Sequence, residues 1–157
     1  MPRVPNIALD EIDGRAKEFL DLLKSPPNRG TLVTLSGELG AGKTTFVQAM
    51  ARALGVEETV TSPTFVIQKI YELEGQPLDS ARGKKFSHLI HIDAYRLKSA
   101  HELEMLGWKE LCADPANLIL IEWPKNVASL IPDDAIRIRF DIHGDERTIS
   151  INGEEKE

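Results

Sequence analysis

Gly37-Glu38-Leu39-Gly40-Ala41-Gly42-Lys43-Thr44 has the spacing Gly-x-x-x-x-Gly-Lys-Ser/Thr. Glycines so placed let consecutive backbone N–H groups converge on phosphate oxygens, where a side chain would block the approach or forbid the dihedrals. Lys43 is spaced to reach the β- and γ-phosphates of a nucleoside triphosphate, and the Thr44 hydroxyl suits a magnesium ligand. A helix over Thr44 to Leu54 would aim its positive end at the same anion. The loop reads as a phosphate cradle, and ATP with magnesium is the expected ligand.

A cradle of this kind needs carboxylates to hold the metal or its waters. Asp93 and Glu122 each end a short apolar run, His88 to Ile92 and Leu118 to Ile121. Both acids should emerge beside the phosphates, with magnesium or the attacking water as their charge and Glu122 favoured for the metal. Lys43, Asp93 and Glu122 are therefore the candidate catalytic residues, and Thr44 and Glu122 the candidate metal ligands. His91, inside the same polar cluster, reads as a hydrogen-bonded structural side chain in preference to a base. Arg96 could pair with Asp93 or stabilise charge on the γ-phosphate. Trp123 could pack in the core or on a partner-facing surface, or lie against the nucleotide. The hydroxyls of Thr61 to Thr64 resemble a switch segment able to sense a γ-phosphate, with Ser62 and Thr64 the residues of interest.

The elements that must position these residues follow from periodicity. Ile12, Ala16, Phe19, Leu20 and Leu23 fall at helical spacing within Leu9 to Lys24, with Asp10 available as N-cap. Thr31 to Leu35 is a buried-strand run leading into Gly37. Phe46, Val47, Met50, Ala51 and Leu54 form the inner face of the helix after the loop, which ends at Gly55. Phe65 to Tyr71 is strand-like, and Leu73 to Lys85 is a polar hairpin excursion. His101 to Leu111 fits one short helix with Leu103, Leu106 and Leu111 inward. Ala135 to Ile142 and Arg147 to Ile151 alternate as an antiparallel pair turning at His143 and Gly144. Strands alternating with helices give the fold class: α/β, a three-layer P-loop NTPase-like domain with a largely parallel sheet and antiparallel additions near the C-terminus. Ligands in such sheets sit beyond the carboxyl ends of the strands.

The 157 residues suit one domain, 1–157, with 153–157 a frayed charged tail. A net charge of −6 argues against a surface that grips nucleic acid unaided. The single cysteine, Cys112, excludes an internal disulfide and reads as a small apolar side chain. With no apolar run near the roughly 18 residues of a membrane span, a soluble cytoplasmic protein is expected.

Together, Gly37 to Thr45, Ser62-Pro63-Thr64-Phe65, His91-x-Asp93-x-Tyr95-Arg96-Leu97 and Ile121-Glu122-Trp123-Pro124 closely resemble the TsaE (YjeE) family, small bacterial P-loop ATPases of tRNA threonylcarbamoyladenosine formation. Glu102 to Gly107 resembles the helix that follows the family's Tyr-Arg motif, and the resemblance spans about Leu9 to Ile151. It implies ATP hydrolysis that resets the TsaB–TsaD complex, which modifies tRNAs reading codons that begin with A; contact with tRNA would be indirect. Carried over by position, Glu38, Leu39, Gly40, Ala41, Gly42, Lys43, Thr44 and Thr45 hold phosphate and metal. Glu122 takes the family's metal-binding glutamate, Asp93 its second carboxylate, Thr64 its switch loop and Trp123 the tryptophan beside the nucleotide. Arg147 matches a basic position near the nucleotide. The family's threonine near the first helix has no counterpart among Asp10, Glu11 and Asp13.

A GTPase would carry Asn-Lys-x-Asp after a strand, and this chain has none. A small-molecule kinase, with Arg82, Lys84 and Lys85 as lid candidates, and a nucleotide-gated binding module with incidental hydrolysis are the remaining alternatives.

Overall fold

The run Thr31–Gly37 is buried throughout its first five residues, the pattern of a strand covered on both faces. In the computed structural model this strand, β2, lies inside a seven-stranded sheet. Residues 3–5, 11–21, 23, 26, 28–38, 42–56, 68–73, 86–144 and 146–151 are described; for 3–5, 143, 146 and 147 this covers the backbone alone. Leu39, Gly40, Ala41, the Thr61 to Thr64 loop with Ser62, Asp10, most of the 73–85 excursion and the tail 153–157 lie outside the described residues.

The elements in chain order are β1 (Arg3–Pro5), α1 (Ile12–Asp21), β2, α2 (Lys43–Ala53), β3 (Gln68–Glu72), β4 (His88–Asp93), α3 (Ala100–Glu104), α4 (Trp108–Ala113), β5 (Asn117–Glu122), a 3-10 segment (Pro124–Leu130), β6 (Ile136–His143) and β7 (Glu146–Ile151). Spatially the strands run β1-β7-β6-β2-β5-β4-β3. β6, β2, β5 and β4 are parallel, while β3, β7 and β1 add antiparallel at the two margins. The mostly parallel sheet and the β6–β7 pair agree with the sequence pattern. The antiparallel pairing of β3 with β4 is what a hairpin over Leu73 to Lys85 would give; β1 was not legible there.

Alternation along the strands sends side chains to opposite faces. Val33, Leu35, Leu118, Leu120, Ile138 and Phe140 meet α1 and α2 in one core. Leu32, Ile90, Ile92, Ile119 and Ile121 meet Leu103, Trp108 and Val127 in a second. The sheet is thus the middle of three layers. Phe46 of α2 joins the first layer to the sheet, edge-on to Phe19 at 6.0 Å and to Phe140 at 5.7 Å. Among the described residues no helix is long and apolar enough to cross a membrane.

Two expectations are corrected. The single helix over His101 to Leu111 is two helices, because Gly107 takes φ 85, a left-handed conformation that ends α3 and starts α4. The break rotates Leu106 out of the core, leaving it 38% exposed, whereas Leu103 stays buried. The first helix is also shorter than Leu9 to Lys24, running Ile12–Asp21.

Candidate functional site

Parallel register brings the two acids together. Asp93 on β4 is the direct partner of Glu122 on β5, and Glu122 in turn is the partner of Leu35 on β2. All three sit at the carboxyl ends of their strands, beside the start of α2. Gly37 closes β2 at φ 139, and a Cβ there would lie 2.3 Å from the Phe140 carbonyl oxygen on β6. Only glycine lets β2 and β6 pair this closely while the chain turns into the loop.

From the first turn of α2, Lys43 is almost wholly covered. Its Nζ donates to the Gly37 carbonyl oxygen at 2.5 Å and lies 3.5 Å from the centroid of the Trp123 ring, a cation–π contact. Burial lowers the ammonium's pKa from its usual 10.5, and the carboxylates of Glu122 and Asp93 oppose that shift. The next residue, Thr44, has its hydroxyl 3.3 and 3.4 Å from the two oxygens of Glu122. Thr45 is partly buried in the same turn and Glu38 is exposed just after β2.

Asp93 Oδ1 accepts the backbone N–H of Tyr95 at 3.0 Å. Burial raises its carboxyl above the usual 3.8, the Tyr95 N–H opposes this, and the charge of Glu122 raises it further. The buried Glu122 is fixed by His91, whose Nε2 lies 2.5 Å from Oε2.

Trp123 takes φ 59 and ψ 53, the left-handed region unusual for a large side chain. Its N–H bonds to Leu35 and its carbonyl accepts from Asn126, which anchors the turn between β5 and the 3-10 segment. The turn brings the indole against Lys43, and Tyr95 packs on the same ring system at 5.0 Å between ring centroids. Asn126 Nδ2 holds the β4 end in place through the carbonyls of Ala94 and Tyr95. Asn126 is a contributor that no sequence motif singled out, while Tyr95 stood inside the His91 to Leu97 motif without a role of its own. Arg96 is exposed beyond Asp93. The backbone of Arg147 pairs with Ile142 on β6, two residues past Phe140, at the same end of the sheet as Gly37; its side chain is outside the described residues.

Lys43, Thr44, Asp93, Glu122 and Trp123 therefore converge at one mouth. The donor set fits magnesium. Thr44 and Glu122 present oxygens toward one another, and two in-register carboxylates beside one lysine are a concentration of negative charge that a cation would relieve. Among the described residues no group of three or more His, Cys, Asp or Glu forms a cage of its own. That is as expected for magnesium, which commonly takes one or two protein carboxylates and completes its shell with phosphates and water.

A family model described as "Threonylcarbamoyl adenosine biosynthesis protein TsaE" matches residues 10–149. The chain belongs to the TsaE family. Among its relatives, the tRNA threonylcarbamoyladenosine biosynthesis protein TsaE of Borreliella burgdorferi is 35% identical over 141 residues, covering 87% of this chain and 94% of the relative. The protein of the same description from Haemophilus influenzae is 31% identical, covering 86% and 78%, and that of Streptomyces coelicolor 39%, covering 71% and 69%. In three dimensions the chain is similar to the crystal structure of Bacillus subtilis YdiB, with TM-score 0.70 and 27% identity over 96% of this chain and 83% of that one. TsaE membership and the mostly parallel α/β fold thus agree with the reading of the motifs. The role in threonylcarbamoyladenosine modification of tRNA follows at the level of the family.

Proposed function

We propose that this TsaE protein binds magnesium-ATP on Gly37 to Thr45 and hydrolyses it in the cytoplasm in support of a TsaB–TsaD complex that forms threonylcarbamoyladenosine in tRNAs reading codons that begin with A. The observation that carries this reading is the in-register pairing of Asp93 with Glu122 directly opposite Lys43 and Thr44. The loop backbone and the N-terminus of α2 bind the phosphates. Lys43, screened from water by Trp123, balances charge on the terminal phosphates without losing strength to solvent. Thr44 and Glu122 would hold magnesium, which would supply positive charge to offset the negative charge of the phosphates. Asp93, with its carboxyl raised by burial, is placed to orient the attacking water and accept its proton. The negative net charge fits a protein that reaches tRNA only through its partners.

The test is ATP hydrolysis by the purified chain with and without TsaB and TsaD. The wild type should be slow alone and faster with both partners. Lys43→Ala and Glu122→Ala should each lose about 100-fold or more of the stimulated rate, with unchanged circular dichroism. Full activity in either variant overturns the site; a wild type indifferent to the partners overturns the pathway role.

A further inference from the structure

Thr44 is at nearly equal distance from the two oxygens of Glu122, 3.3 and 3.4 Å, so its hydroxyl cannot decide how the carboxylate is turned. His91 can. Its ring is fully buried on β4, two residues before Asp93 and on the same face. Its Nε2 bonds Oε2 alone, at 2.5 Å. We propose that His91 is a positioning residue: its Nε2–H fixes the rotation of the Glu122 carboxylate so that Oε1 is left to Thr44 and the metal.

The tautomer follows from the surroundings. An ionised carboxylate only accepts, so Nε2 carries the hydrogen. Nδ1 is buried and has no partner among the described residues, so Nε2 is the ring's one anchoring atom. Among the described residues, Glu122 bonds the ring and Asp93 lies two residues on along β4, while Lys69 of β3 is the direct cross-strand partner of His91. Outer groups that orient a metal-binding carboxylate commonly matter about 10–100-fold to metal affinity or activity.

The inference rests on the magnesium-ATP reading above, and its test separates the two. ATP binding to the full chain is followed by calorimetry at graded magnesium for wild type, His91→Leu and His91→Gln, the glutamine amide reaching the place of Nε2. His91→Leu should need about 10–100-fold more magnesium for half-maximal ATP binding, with magnesium-free ATP affinity unchanged. His91→Gln should recover most of the loss, which a purely space-filling role would not produce. If His91→Leu fails to fold, His91→Asn, whose amide stops short of Glu122, replaces it and should show the same loss. In parallel, ¹⁵N spectra of metal-free wild type should show Nε2 protonated, with Nε2 moving in Glu122→Gln. A wild-type magnesium requirement in the leucine or asparagine variant, or an Nε2 without a hydrogen, overturns the proposal alone. A wild type whose ATP binding ignores magnesium overturns the site reading and the proposal with it.

Discussion

At Asp93 burial and the neighbouring charge of Glu122 work together against ionisation, and only the Tyr95 N–H, His91 and Lys43 oppose them. The folded protein therefore holds this proton to a higher pH than the unfolded chain does. In the window above 3.8 folding is coupled to proton binding at Asp93, so its contribution to stability falls as pH rises, a penalty that grows through the window. Asp93→Asn removes that penalty and keeps an oxygen for the Tyr95 N–H. In thermal melts of metal-free protein the variant should be more stable than wild type at pH 7, and the gap should close as pH falls toward 4. Its ATP hydrolysis should be lost at every pH. Gly37 presents the opposite case, a backbone with no slack. A methyl 2.3 Å from the Phe140 oxygen must push β2 from β6, and at φ 139 any side chain is strained besides. Gly37→Ala should cost about 1–3 kcal/mol in urea unfolding.

Elements declare themselves where a periodic pattern is long and unmixed. β2, β4 and β5 are largely apolar runs buried almost throughout, α2 repeats its buried face over three turns, and β6 and β7 alternate around Gly144. Hence Asp93 and Glu122 could be read as strand ends, and their adjacency follows from parallel pairing. The break at Gly107 was hidden because Leu103, Leu106 and Leu111 keep helical spacing straight across it; the deciding quantity is one backbone dihedral. β1 was hidden because three residues carry no period and take their structure from β7. The link from His91 to Glu122 depends on register between strands far apart in sequence, which no local spacing encodes. These face assignments have a direct energetic consequence. Phe46→Ala removes the ring that joins α1, α2 and β6 and should cost about 3–5 kcal/mol. Leu106→Ala, on the side the break turned outward, should cost within about 0.5 kcal/mol. Similar losses in the two unfolding curves would contradict the division into two helices.

Across the whole molecule, stability should grade from the middle of the sheet outward, while the site lies at one end of its most stable part. β5 is buried at all six residues and is hydrogen-bonded on both sides by parallel neighbours; β2 is likewise flanked by β5 and β6. β1 has three residues and, among the described strands, one partner, β7. β3 pairs only with β4 among the described strands and leaves Ile70 half exposed. Local opening costs least where few buried contacts must be lost and approaches the global unfolding free energy at the centre. Amide hydrogen exchange should therefore be slowest at Val33 to Leu35 and Leu118 to Ile121, and fastest at Arg3 to Val4 and along β3. This arrangement suits the proposed chemistry, since Glu122 and the start of the phosphate loop are continuous with the two strands least able to open. Magnesium-ATP, the proposed ligand, would bind only the folded protein and stabilise it by mass action. Its protection should thus appear at two levels, a large local gain in the first turn of α2 and a smaller, uniform slowing of the central strands. Protection confined to α2 would mean that exchange in the central strands does not proceed through global unfolding, and the graded sheet described here would have to be abandoned.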